Sequence, residues 1–150
     1  MKKIVVSCLL LATAALLSCS VREEAGAKAD TSCEGVMCTE QFVTLSVTVV
    51  DSKSAPIALD RIKVTRLSDG RELTAGDNSE WETARQQGMY RLADDGDEDA
   101  VPRFEETKLR FEGFINGNLV ATGDYVVTYD CCHISLVSGE QELVIDGAPR

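Results

Sequence analysis

Two cysteines stand side by side late in the chain, Cys131 and Cys132, and two others, Cys33 and Cys38, stand early in it. A chain crosslinked across that span must bring its two ends together, and no other feature limits the fold as much. The opening residues say that crosslinks form. Met1-Lys2-Lys3 is basic, and Ile4 to Leu17 is apolar apart from Ser7 and Thr13, the layout of an export signal. This run of about 14 residues is shorter than the roughly 20 that a spanning helix needs. An exported chain meets an oxidising compartment, so an even set of cysteines reads as disulfides.

Three pairings of these four cysteines exist. A bond between Cys131 and Cys132 would close a small strained ring, which disfavours the local solution of 33 with 38 and 131 with 132. Neighbouring residues of a strand point to opposite faces, so each thiol of the adjacent pair needs its own partner. The segment from Cys33 to Cys38, bent at Gly35, can supply both. The expectation is two crosslinks from the start of the domain to a Cys131-Cys132 strand. Each closes a loop of roughly 95 residues, for which the chain-entropy estimate is about 4 to 5 kcal/mol. The competing reading is a metal or thiol site in which Cys33, Cys38, Cys131, Cys132 and His133 offer soft ligands. Adjacent ligands without a Cys-x2-Cys loop give poor tetrahedral geometry, and disulfides are preferred. His133, the one histidine, is expected to be a strand residue and not a general base.

Removing residues 1–18 takes away Lys2 and Lys3, so the formal charge moves from −10 to −12 and 132 residues remain, 19–150. That length makes one domain. The charge repels phosphate backbones, so no nucleic-acid partner is expected. Residues 19–32 lack apolar periodicity and read as a flexible tether, leaving 33–147 for the domain.

Val43, Leu45, Val47 and Val49 alternate with Thr44, Ser46 and Thr48, the mark of a strand with one buried face. A turn at 52–56 leads to a second alternation, Ile62 and Val64, which ends at Asp69-Gly70 and starts a hairpin. Residues 80–87 suit a short helix or a loop, and Tyr90 with Leu92 a brief strand. Leu109, Phe111 and Ile115 share a face, with Gly113 placed for a bulge or a close approach. Asn116-Gly117 predicts a type I′ turn joining 108–115 to 118–129. Ile134, Leu136, a Ser138-Gly139 turn, Leu143 and Ile145 predict a final hairpin. The fold class expected is all-β, a two-sheet antiparallel β-sandwich of about seven strands, Ig-like or transthyretin-like.

Leu16-Leu17-Ser18-Cys19 resembles the lipobox of bacterial lipoproteins. That resemblance implies cleavage before Cys19, attachment of acyl chains such as palmitate to it, and Cys8 discarded with the signal. Ser20 is not the aspartate of inner-membrane retention, and Arg22-Glu23-Glu24 resembles the acidic signal that exposes Bacteroidota lipoproteins on the cell surface. The outer membrane is therefore the expected location, possible surface display included. Val47 to Ile57, with Asp51 and Pro56, then Ile62-Lys63-Val64 and Gly88-Met89-Tyr90-Arg91-Leu92, resemble the carboxypeptidase regulatory-like, transthyretin-like sandwich. Ala58-Leu59-Asp60 departs from its usual Gly-Ala pair. The whole layout is similar to a group of Bacteroidota lipoproteins with no assigned activity, which implies a fold and no reaction.

Three further candidates are weaker. Asp94 to Asp99 is acidic enough for calcium but lacks EF-hand spacing, and is expected to be a solvated loop. Trp81 is a possible ligand contact for a sugar or an apolar anchor, against which packing on the core is preferred. No nucleophile motif organises Ser, Asp and His. The expected function is a non-enzymatic binding or structural module for an envelope protein or extracellular ligand, without a cofactor and held on the membrane through Cys19. The alternatives are a glycan-binding accessory lipoprotein and the metal or thiol site.

Overall fold

Period-two alternation becomes a strand at each place where both neighbours can accept it. A computed structural model describes residues 31–73 and 81–146. The chain divides into two units, Met1–Asp30 and Thr31–Arg150, and all described residues belong to the second. The signal peptide, Cys19, the tether as far as residue 30 and the stretch 74–80 lie outside the described residues.

The elements are β1 (Thr44–Val50), β2 (Arg61–Arg66), α1 (Trp81–Gln87), β3 (Met89–Asp94), a 3₁₀ turn (Asp95–Asp97), β4 (Thr107–Ile115), β5 (Asn118–Tyr129), β6 (Ile134–Ser138) and β7 (Glu142–Val144). They form a three-stranded sheet in the order β3-β1-β7 and a four-stranded sheet in the order β2-β4-β5-β6. Both sheets feed one apolar core. Val47, Val49, Tyr90 and Leu92 come from the first, and Val64, Leu109, Phe111, Val127 and Ile134 from the second. The chain is thus mostly β, with one short helix among the described residues.

Local chemistry sets several joints. Asn116 and Gly117 both have positive φ, 51° and 77°, as a type I′ turn requires, and β4 and β5 pair directly across it. At Gly113, where the β4–β5 register shifts opposite Val120, an added Cβ would lie 2.6 Å from Leu59 Cδ1. Glycine there lets the buried Leu59 lie across the strand. Tyr90 fixes the approach to that contact, since its hydroxyl donates to the Ile57 carbonyl at 2.6 Å and accepts the Leu59 N–H at 2.7 Å. The turn at Asp69-Gly70 does send the chain back along β2, through a single bridge between Thr65 and Glu72.

The final hairpin is not formed. β6 stays beside β5, whereas β7 lies parallel to β1 in the other sheet, so the first sheet is mixed and the antiparallel expectation fails there. The cause lies between the two strands. Gly139 has φ 127°, and the hydroxyl of buried Tyr125 holds the Glu140 carbonyl at 2.7 Å. Burial pushes the phenol of Tyr125 up to about 12, so it remains a donor at ordinary pH. The Gln141 carbonyl then receives the Thr48 N–H at 2.6 Å, which starts β7 against β1. Alternation marked Leu143 and Ile145 as inward-facing; it carries no information about which sheet they join.

Candidate functional site

The residues singled out near the two ends of the domain meet at one place, the turn after β5. Cys33 bonds to Cys131 and Cys38 to Cys132, with Cα separations of 5.4 and 5.3 Å, inside the normal range. Both crosslinks therefore run from the start of the domain to the adjacent pair. The pair itself is not in a strand. β5 ends at Tyr129 and β6 begins at Ile134, so Cys131, Cys132 and His133 form the connection. Asp130 makes it turn: its Oδ1 accepts the N–H groups of Cys132 and His133 at 2.6 and 2.8 Å. Those two donors hold the Asp130 carboxyl below its ordinary pKa. The expectation that His133 is a strand residue is corrected on the same ground.

The Cys38–Cys132 bridge sets its next neighbours face to face. Thr39 follows Cys38 and His133 follows Cys132, and Thr39 Oγ1 stands 3.0 Å from His133 Nε2. On the other side of the ring, Nδ1 is 2.8 Å from Asp95 Oδ2. Asp95 is pinned by main chain: Oδ2 accepts the Val43 N–H at 2.8 Å and Oδ1 the Ile134 N–H at 2.9 Å. Burial alone would raise the Asp95 pKa, but these two amides and His133 outweigh it and leave the group below its usual value. An ionised carboxylate only accepts, so Nδ1 carries the proton, and in the neutral ring Nε2 accepts from the Thr39 hydroxyl. Tyr129 closes the network by sharing its hydroxyl proton between the carbonyls of Asp95, at 3.1 Å, and Cys132, at 3.3 Å.

All four thiols of the proposed metal or thiol site are consumed in these bonds, which leaves no thiolate to act as ligand or nucleophile. Among the described residues, no group of three His, Cys, Asp or Glu is arranged to hold a metal ion.

Part of the acidic run is built inward. Asp94 caps the 3₁₀ turn by accepting the Gly96 N–H at 2.8 Å, and Asp97 accepts the Asp94 N–H at 2.9 Å. Arg91 pairs with both Asp94 and Asp97, and Glu98 pairs with Arg103 at 2.7 Å. Gly96, Glu98 and Asp99 are exposed as a solvated loop expects, while Asp94, Asp95 and Asp97 are half-buried and held in a capped turn. Trp81 opens α1 and packs against the core, its ring 5.7 Å from that of Tyr90. It does not stand clear of the surface as a free stacking platform would.

The sequence does not mark Thr39, Tyr129 and Asp130 as site residues, and it marks Asp95 only as part of the acidic run Asp94 to Asp99. One sign was present: Cys38-Thr39 and Cys132-His133 are two Cys-polar pairs, and bonding the cysteines aligns the residues that follow. Among the described residues, no helix is long and apolar enough to cross a membrane. No protein-family profile, curated protein or solved structure matches the chain.

Proposed function

We propose that the chain is an outer-membrane lipoprotein, anchored through acylated Cys19 and open to display at the cell surface. Its domain is a transthyretin-like two-sheet sandwich that serves, without catalysing a reaction, as a binding or structural module for an envelope protein or an extracellular ligand. The observation that carries this reading is the pair of crosslinks, Cys33 to Cys131 and Cys38 to Cys132, because such bonds persist outside the reducing cytosol. Leu16-Leu17-Ser18-Cys19 supplies the anchor. The sandwich is supported by the common core of the two sheets and by the turn after β1, where Asp51 Oδ1 accepts the Lys53 and Ala55 N–H groups. Mass spectrometry of the mature protein tests the anchor. An N-terminal diacylglyceryl cysteine at 19, lost with membrane attachment in Cys19→Ala, is the expected result, and an unmodified residue 19 refutes it. Proximity labelling on intact cells identifies the partner.

One observation favours a second reading. Thr39, His133 and Asp95 stand in the order hydroxyl, imidazole, carboxylate used to activate a nucleophile. Attack on an ester would transfer its acyl group to Thr39 Oγ1, with the proton passing to His133 Nε2 and then to the departing alcohol. A fluorophosphonate probe decides: an adduct on Thr39 that disappears in His133→Gln identifies Thr39 as an activated nucleophile, and an unlabelled protein leaves the Thr39–His133–Asp95 network a structural one.

A further inference from the structure

The end of the domain that carries the crosslinks also carries exposed apolar side chains. Val36 and Met37 lie between Cys33 and Cys38 and are 48% and 93% exposed; Phe42, just before β1, is 64% exposed. The Phe42 ring reaches the 3₁₀ turn at Gly96, next to Asp95. Phe104 joins them through β5, since its N–H donates to the Tyr129 carbonyl at 2.7 Å. It has φ 61° and is 37% exposed. A bulky residue in the left-handed region is uncommon.

We propose that this end of the domain rests on the bilayer that holds Cys19, with Met37, Phe42 and Phe104 entering its interfacial layer, and that the membrane lipid is zwitterionic. The proposal rests on the anchor reading given above. Two arguments identify the occupant. Cys33 is 14 peptide steps from Cys19, so the lipid surface lies within about 50 Å of it, the contour length of that segment. The opposite end of β5, at Leu119, is about 33 Å further along the strand from Tyr129. The second argument is charge. Glu34, Glu40, Glu105 and Glu106 flank the apolar residues in sequence, and Arg103 is already paired with Glu98; anionic head groups are repelled and neutral ones are not. The crosslinks on both sides of Met37 keep its side chain presented instead of letting the loop fold over it. An acyl anchor and an apolar contact would then act together as two membrane signals and fix which face of the domain looks outward.

The test uses the full lipidated mature chain on vesicles of phosphatidylcholine and phosphatidylethanolamine with brominated acyl chains. Trp81→Phe removes the native fluorophore, and Met37→Trp, Phe42→Trp or Leu119→Trp places a single reporter. Leu119 is also exposed, at 51%, so it serves as the far-end control. Quenching at 37 and 42 at least threefold stronger than at 119 is the expected result. Equal quenching at all three, in protein that floats with the vesicles and has an acylated Cys19, overturns the docking and leaves the anchor standing; the patch then belongs to a protein partner. Protein that neither floats nor carries the acyl group overturns both. Amide exchange of the unsubstituted chain gives the same decision without reporters: vesicles should slow residues 34–43 at least threefold and leave 116–119 unchanged, and equal rates at both refute the proposal.

Discussion

The two ends of β5 are closed by opposite means. At Asn118 the chain turns through two residues, Asn116 and Gly117, whose positive φ values form a tight return, helped by one long-range contact from the Asn116 N–H to Asp60 at 2.6 Å. At Tyr129 the connection is longer, and apart from the Asp130 carboxylate that turns it, what holds it comes from elsewhere. Cys33 and Cys38 are 98 and 94 residues away from their partners, and Thr39 and Asp95 are 94 and 38 residues from His133. A turn written in local backbone preference forms wherever the chain is. The other end depends on oxidation, on ionised carboxylates and on the rest of the fold already being in place.

Breaking the covalent part should have the largest effect. Replacing Cys33, Cys38, Cys131 and Cys132 together by serine, which opens the long loop that either bridge alone would keep closed, is expected to destabilise the domain by about 4 to 5 kcal/mol, read as a lower urea midpoint, with the hairpin end unaffected in local amide exchange. Removing the acceptor at the centre of the polar network comes next. Asp95→Ala leaves the Val43 and Ile134 amides and the His133 ring without their partner, and hydrogen bonds to a charged group are worth about 1.5 to 3 kcal/mol; a loss of about 3 kcal/mol is expected in urea melts. The same network gives the stapled end an acid dependence. Asp95 and Asp130 both titrate below their ordinary values, so their contribution is complete above about pH 4, the unfolded carboxylate range, and is lost as pH falls through the depressed values. Urea midpoints measured from pH 6 to pH 2 should fall more steeply for the native chain than for Asp95→Asn; parallel curves would show that Asp95 is not responsible. The smallest effect belongs to the local end. A side chain at 117 meets nothing within 4 Å, so Gly117→Ala costs only its backbone strain, about 1 kcal/mol, and the faster amide exchange it causes should be confined to the β4–β5 turn.

The contrast also explains what could be read from the residues. Val47, Val49, Leu109, Phe111 and Val127 alternate and are all fully buried, because burial on one face of a strand imposes a period of two on the chain itself. Asn116-Gly117 was legible because the turn needs those residue types in that place. The arrival of both crosslinks at Cys131 and Cys132 followed from the strain of the local pairing. The position of β7 did not, since Leu143 and Ile145 present the same pattern whether they return beside β6 or cross to β1. Nor did the place of His133, which is set by Asp130 locally and by Thr39 and Asp95 across the fold. Trp81 could be read as a surface ring or as core cover until the position of Tyr90 beneath it was known.

The Cys33 to Cys131 bond changes how the domain would carry a mechanical load. A pull on the chain upstream of Cys33 would otherwise strip away residues 33–43 and then unzip β1 from its neighbours pair by pair. With the bond in place, the force leaves the main chain at Cys33 and enters the connection between β5 and β6, so that β1 bears none of it while the disulfide is intact. Traction on the tether would then displace the domain as a rigid body, and unravelling would have to wait for the rupture or reduction of a covalent bond.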